Sequence, residues 1–421
     1  MVEVRRRDLL GGLAAAATAG KALAQPNPQA NPMADGWAGL NRGRYLPAYA
    51  IAARSKPEDS YRDVFEQWAA FVGDQDLALS RAVPKPMAGP APGLAGAVCR
   101  PAVDAIVEAS RDRRIVFLNE AHVASRHRAF LAAVLPALKR EGFTHLACET
   151  FNSLPDPGVP DIRKFAAGMS FDPGYGTYTW DPVFADAIRQ ARDLGYGFER
   201  YEQRPDQRDA KLTGLQATQQ REDAEAANFI QALDANPDAR FLVYVGYDHL
   251  RKTPDRRGGK WFAARLKEKT GIDPLCVAQA HAGSFAPHGP TSPTASAVIK
   301  RFSPKAPVVV AMPDGASLTA SLSAADLAVF HPELPDRNGR PGWLAAQPGR
   351  VEATVAVPAA KDSAPRLLQA VYATDPDHAV PADHLLLAPG QISARLWLRP
   401  GRYRIRLETA AGHVPVDEIR I

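Results

Sequence analysis

Between residues 101 and 283, short apolar runs alternate with stretches whose apolar positions recur at helical spacing. The apolar runs are RIVFLNE (114–120), THLACET (144–150), YGFERYE (196–202), RFLVYVGYDH (240–249) and DPLCVAQA (273–280). Helix-like segments separate them: RAFLAAVLPALKREG, DPVFADAIRQARDLG, QREDAEAANFIQALDANP and GKWFAARLKEKTG, with PAVDAIVEASRD ahead of the first run. Strands separated by helices predict an α/β domain built on a mostly parallel sheet with helices on both faces. The runs IVFL, FLVYV and LCVA are continuously apolar, as strands covered on both sides are. Pro136 removes one hydrogen bond from the second helix and predicts a kink there.

The flanks read differently. Residues 25–45, rich in Pro, Asn, Gly and Ala, read as a tether; helical periodicity over 58–82 predicts one or two helices, and VPKPMAGPAPGLAG breaks it. The expected order is a signal segment (1–24), tether and N-terminal helices (25–100), the α/β domain (101–283), a linker (284–300) and a C-terminal domain (301–421). In that last part, RVEATVAV, ARLWLRP and RYRIRLET alternate apolar and polar positions between Pro/Gly turns. This predicts an antiparallel, sandwich-like β domain.

The first residues, MVEVRRRDLLGGLAAAATAGKALAQ, join a basic region, a short apolar region and an A-x-A site at Ala22-Leu23-Ala24. That is the pattern of a secretory signal, and Arg6-Arg7-Asp8-Leu9-Leu10 resembles a twin-arginine export motif. The expected destination is a bacterial periplasm. The apolar run is too short for a membrane span, so no transmembrane segment is expected in the mature chain. Across 421 residues, 51 basic against 46 acidic side chains leave a formal charge of +5, dispersed along the chain, which argues against a nucleic-acid partner. Cys99, Cys148 and Cys276 form no disulfide framework; Cys148 and Cys276 read as apolar fillers within strands.

Ligands of open parallel sheets bind outside the carboxyl ends of the strands. Those ends carry Glu120 and His122, then Glu149, then Glu199, Tyr201 and Glu202, then Asp248 and His249, then His281. The amino ends carry no comparable set. Two or three histidines with carboxylates can hold a divalent metal, or a carboxylate can orient His122 as a general base without one. His-Glu-x-x-His, Cys-x-x-Cys and the glycine-rich phosphate motifs are absent, so a nucleotide cofactor is not expected. Tyr175, Tyr178 and Trp180, in the loop DPGYGTYTWDP, are candidates for an aromatic wall or for local packing.

IVFLNEAH, HLACET and YVGYDH together resemble the superfamily that joins ChaN-type haem-binding proteins, the Tiki/TraB proteins and the erythromycin esterases. The resemblance rests on Glu120 and His122 after the first strand, Glu149 ending the second, and Gly246-Tyr247-Asp248-His249 ending a later one. REDAEAANF resembles the superfamily's helix motif, placing Arg221 and Asn228, with Glu222 where Asp is usual. Asn119 stands where the superfamily has Gly, Val123 where ChaN-like members have Asp, and Arg128 where they have a second His after His127. The resemblance implies an exported hydrolase acting on an ester or amide bond of a small molecule or peptide. Glu120, His122, Glu149 and His249 are then catalytic, and Arg221, Arg126, His127 and Tyr247 contact substrate. If the reaction uses a metal, His122, His249 and Glu149 are its expected ligands. The alternatives are an envelope protein binding haem or another iron ligand, and a non-catalytic envelope interaction protein. The sequence pattern fixes no oligomeric state.

Overall fold

The computed structural model describes residues 32–421 except 57–58, 60, 83–89, 155–157, 256, 281–291, 320–324 and 361. The signal segment with Arg6, Arg7 and Ala22–Ala24, His281 and the first part of the 284–300 linker lie outside the described residues. Among the described residues no helix is long and apolar enough to cross a membrane.

Four helices lead the chain: α1 (Pro32–Leu40), α2 (Leu46–Arg54), α3 (Arg62–Phe71) and α4 (Gln75–Ala82). The first is a correction to the expected tether. Trp37 makes the difference: its indole packs 5.1 Å from the Trp68 ring and 5.0 Å from that of Trp180, and this burial holds the segment as helix despite its Gly and Pro content. Then follow β1 (Val98–Pro101), α5 (Ala102–Ser110), β2 (Ile115–Glu120), α6 (Ser125–Arg140), β3 (His145–Cys148), α7 (Pro182–Asp193), β4 (Gly197–Glu199), α8 (Gly214–Ala235), β5 (Phe241–Gly246), α9 (Phe262–Thr270) and β6 (Leu275–Ala278). Helix α6 runs to Arg140 without a break at Pro136.

Beyond them lie α10 (Pro293–Phe302), β7 (Val308–Ala311), β8 (Leu327–Ala328), α11 (Gly342–Ala345), β9 (Val351–Ala356), β10 (Leu367–Tyr372), β11 (Asp383–Leu386), β12 (Ser393–Leu398), β13 (Arg402–Thr409) and β14 (Gly412–Arg420). Strands β4, β3, β5, β2, β6 and β8 form one six-stranded sheet in that order, with every pair parallel. Period-two alternation divides its side chains. Val116, Leu118, Leu146 and Leu242 pack with α5, α6 and α7, while Phe117, Val243 and Val245 pack with α8 and α9 on the other face. Helices therefore cover both faces, as the apolar runs require.

Two strands expected in the C-terminal β domain sit with the α/β layer instead. β8 extends the parallel sheet beside β6, and β7 pairs antiparallel with β1. Both are buried apolar segments with an open sheet edge or a partner strand within reach. The remaining strands form an antiparallel sheet, β11-β10-β13-β14, and the antiparallel pair β12-β9. Leu368, Ala370, Ile405 and Leu407 from the first meet Val355, Leu396 and Leu398 from the second in one apolar layer, a sandwich. α7 docks on it through Asp186, which pairs with Arg399 (2.9 Å) and Arg350 (3.1 Å).

Burial pushes His384 down to about 4 despite the neighbouring Asp383, and burial followed by the charge of Arg126 holds His331, packed against α6, well below the imidazole range. Both are neutral in the folded chain at pH 6, whereas the unfolded chain binds protons there. Their stability contribution is complete above pH 6.5 and lost as pH falls toward 4; the His384 shift is worth roughly 3 kcal/mol. Urea midpoints at pH 7.5 and 4.5 check this. His384→Gln is expected to narrow the gap between them, and an unchanged gap contradicts the assignment.

Candidate active site

The centre begins with the last residue of β2. Alternation puts Glu120 on the α6 side of the sheet, where Arg128 projects toward it from the first turn of that helix. The pair is bidentate: Arg128 donates Nε–H to Glu120 Oε2 and Nη2–H to Oε1, both at 2.8 Å. Arg128 also donates to Asp181 Oδ2 (2.8 Å) and to the His122 carbonyl (2.9 Å). Ser125, the first residue of α6, donates its hydroxyl to the same Asp181 oxygen at 2.7 Å. Burial alone would raise the Glu120 carboxyl, but the charges of Arg128 and His122 outweigh it and keep Glu120 ionised.

His122 lies 2.8 Å from Glu120 Oε1 through Nδ1. An ionised carboxylate there fixes the proton on Nδ1 and leaves the lone pair on Nε2. Nε2 faces Glu149 Oε1 at 4.0 Å. Tyr178 stacks on the ring at 4.2 Å, and Tyr247 meets it edge-on at 5.1 Å. Of the three loop aromatics, Tyr178 alone lies on this centre; Tyr175 packs against Phe165 and Phe171, and Trp180 against Trp37.

Glu149 sits just past β3 and accepts from the Gly246 N–H at 2.5 Å and from Arg221 Nη2 at 2.8 Å. Burial opposes its charge, yet His249 and Arg221 hold its carboxyl well below the ordinary range. The hydrogen at Gly246 is required by space. A Cβ there would lie 2.6 Å from His122 Nε2 and 2.8 Å from Glu149 Oε2, so any side chain pushes the two groups apart. Tyr247, next in the chain, adopts φ 35°, a strained value for a tyrosine. Its carbonyl accepts from Asn119 Nδ2 (2.6 Å), and Asn119 Oδ1 accepts the Gln279 N–H (2.6 Å). Asn119 thus ties β2 to the segment after β6 and to the strained turn.

His249 is enclosed by acids. Nδ1 lies 3.0 Å from Glu222 Oε2 and 3.3 Å from Glu225 Oε2, and Nε2 lies 3.5 Å from Glu149 Oε1. Burial works against its charged form, but Glu222, Glu225 and Glu149 together raise it well above the imidazole range. Arg221, on α8, lies beside it with Nη1 3.2 Å from Nε2, and also pairs with Glu202 and, at 3.0 Å, with Glu225. Burial raises the carboxyls of both Glu202 and Glu225. The result is two linked halves, Glu120–His122 and His249–Arg221, with Glu149 between them.

Glu120, His122, Glu149, His249, Arg221 and Tyr247 therefore share one site. Arg126 and His127 lie elsewhere: His127 is fully buried with Nδ1 accepting the Ala121 N–H (3.0 Å) and its ring 5.2 Å from His331, while Arg126 is half-buried near Glu333. One helical step separates them from Arg128, and the helix face decides the outcome. Asp248 points away, pairing with Arg251 at 3.6 Å. Glu225, Asp181 and the clamping role of Arg128 escaped the sequence reading. The available signal for Glu225 was its place one turn beyond Glu222 on the same helix face.

The expected metal trio His122, His249 and Glu149 does not fit an ion. The Arg221 guanidinium occupies the position between His249 and Glu149 that a cation would need. Among the described residues, three ligand atoms converge within 4.8 Å at Glu222, Glu225 and His249 instead. The space between Glu120, His122, Glu149 and Tyr178 holds no void the size of a water molecule, and His127 is committed elsewhere.

No family model and no curated protein matches the chain. Solved structures give distant likenesses: the type III effector HopBA1, at 17% identity and TM-score 0.33, over 48% of this chain and 89% of that one. The C-terminal region of Pasteurella multocida toxin, described with a thiol-protease-like catalytic triad, gives 14% identity and TM-score 0.32 over 62% of this chain and 32% of that one. An erythromycin esterase variant in its open conformation gives 16% identity and TM-score 0.20 over 69% and 65%. At these scores the likenesses lend no weight to any function. The fold and site define an α/β protein with a buried acid–base centre at the carboxyl ends of its strands.

Proposed function

We propose that this chain is a hydrolase of ester or amide bonds, of the superfamily that includes the ChaN, Tiki and erythromycin-esterase types, working without a resident metal between His122 and His249. The observation that carries this reading is the His122 imidazole, oriented through Nδ1 by a clamped Glu120 and presenting Nε2 toward Glu149. His122 Nε2 takes a proton from water, and the resulting hydroxide attacks the carbonyl carbon. In this reading Arg221 and the protonated His249, which hold Glu149 from its far side, supply the positive charge that stabilises the oxyanion. Collapse of the tetrahedral intermediate returns the proton from His122 to the departing alcohol or amine. Tyr178 covers the imidazole in this closed form, so substrate entry requires that side chain to swing aside. Export rests on the N-terminal pattern alone and forms part of the same reading.

Purified chain offered a panel of aryl esters, lactones and short amides is expected to hydrolyse at least one class with multiple turnovers, unaffected by chelators. A correctly folded chain inert toward the whole panel sinks the reading, and chelator-sensitive turnover replaces the metal-free version.

A further inference from the structure

Beside the edge strand β4, between the loops after β3 and β4 and helix α8, lies an open cavity of about 210 Å³. β4 is the edge strand of the sheet, and its missing neighbour leaves room between the loop after β3 and helix α8. Arg163, Arg200 and Arg204 face the cavity together with Ser153, Asn228 and one carboxylate, Glu199.

The three guanidiniums are incompletely neutralised. Arg163 is paired with Asp161 at 2.7 Å, but among the described residues Arg204 pairs with the exposed Asp206 at 3.2 Å and the Asn228 amide oxygen at 3.0 Å. Arg200 fares worst, with Asp161 3.9 Å away and a 3.4 Å contact to the Asn152 carbonyl. Burial first, and then the charge of Arg163, hold Arg200 below the ordinary guanidinium value against the opposing carboxylates of Asp161 and Glu199. A second observation is independent of charge. Ser153 is only 8% exposed, and among the described residues its hydroxyl has no hydrogen-bond partner although it borders the cavity. A buried hydroxyl left unpaired costs stability unless a ligand completes it.

We propose that this cavity is an anion-binding subsite, taking the carboxylate or phosphate group of the molecule handled at the His122 centre. The forked donors of Arg200 and Arg204 suit the paired oxygens of either group, and the Ser153 hydroxyl supplies a further donor. The link to that centre rests on the hydrolytic reading; the binding site does not.

Calorimetric titration of the full chain with inorganic phosphate and, separately, with succinate tests the subsite without any turnover. One of the two is expected to bind saturably at one site, and which one identifies the head group. Arg200→Ala weakens that binding about tenfold or more, while Arg200→Lys retains part of it because the charge remains. Ser153→Ala leaves the fold intact and weakens it by a smaller factor. Failure of both anions to bind saturably, or binding indifferent to Arg200→Ala, overturns the subsite. For a hydrolysed ester carrying an acidic tail, Arg200→Ala raises KM and leaves kcat unchanged. An unaltered KM beside weakened anion binding keeps the site and severs its link to catalysis.

Discussion

With Gln in place of His122, the chain is expected to fold normally and to lose about 10²–10⁴-fold in kcat, the usual contribution of a positioned general base. The glutamine amide can still donate to Glu120, but no atom of it accepts a proton from water at neutral pH. Only stacking with Tyr178 and the edge contact with Tyr247 are altered, so the urea midpoint should shift by no more than about 1 kcal/mol of stability. Activity and midpoint measured on one preparation separate a chemical role from a structural one. A variant with wild-type turnover contradicts the assignment.

Arg128→Met is expected to act on stability. The guanidinium is completely buried, and its neighbours include the rings of Phe71, Tyr178 and Phe184 at 5.2–6.0 Å. A methionine can occupy that space, so the cost is electrostatic. Glu120 and Asp181 lose their shared cation inside the fold, and breaking one partner of a buried ion pair costs about 3–5 kcal/mol. Equilibrium urea denaturation reads the loss. Removing charge on the other side as well, in Arg128→Met/Glu120→Gln, should recover part of it. A single variant as stable as the parent shows that the clamp contributes nothing. Orientation of His122 suffers in both cases, because the clamped carboxylate is what holds Nδ1.

The pattern of apolar runs contained the sheet and the sidedness of its strands, and so the convergence of Glu120, Glu149 and His249 at one edge. Each lies at or just past a strand end, and parallel strands bring such ends together. What it did not contain was decided by pairing between distant segments. β5 lies between β3 and β2, which sets Gly246 against Glu149 and His122; nothing local to any of the three strands states that order. The first turn of α6 shows the same limit. Arg126, His127 and Arg128 are consecutive, and the helix's packing sends only Arg128 to the carboxylates. Asp181 escaped notice because it precedes a helix and reads as its cap. It is that cap, accepting the Val183 N–H at 2.8 Å, and an anchor for Arg128 through its other oxygen. At α1, composition suggested a tether, whereas one tryptophan packed between two others made it helix.

The central claim is that His122 Nε2 is the base. Chemical rescue tests it most directly: His122→Gly, which leaves a space of imidazole size beside Glu120, is assayed for hydrolysis with and without added imidazole. The account predicts a nearly inactive variant whose turnover rises with imidazole concentration and saturates. A glycine variant that hydrolyses at the parental rate without imidazole would contradict it.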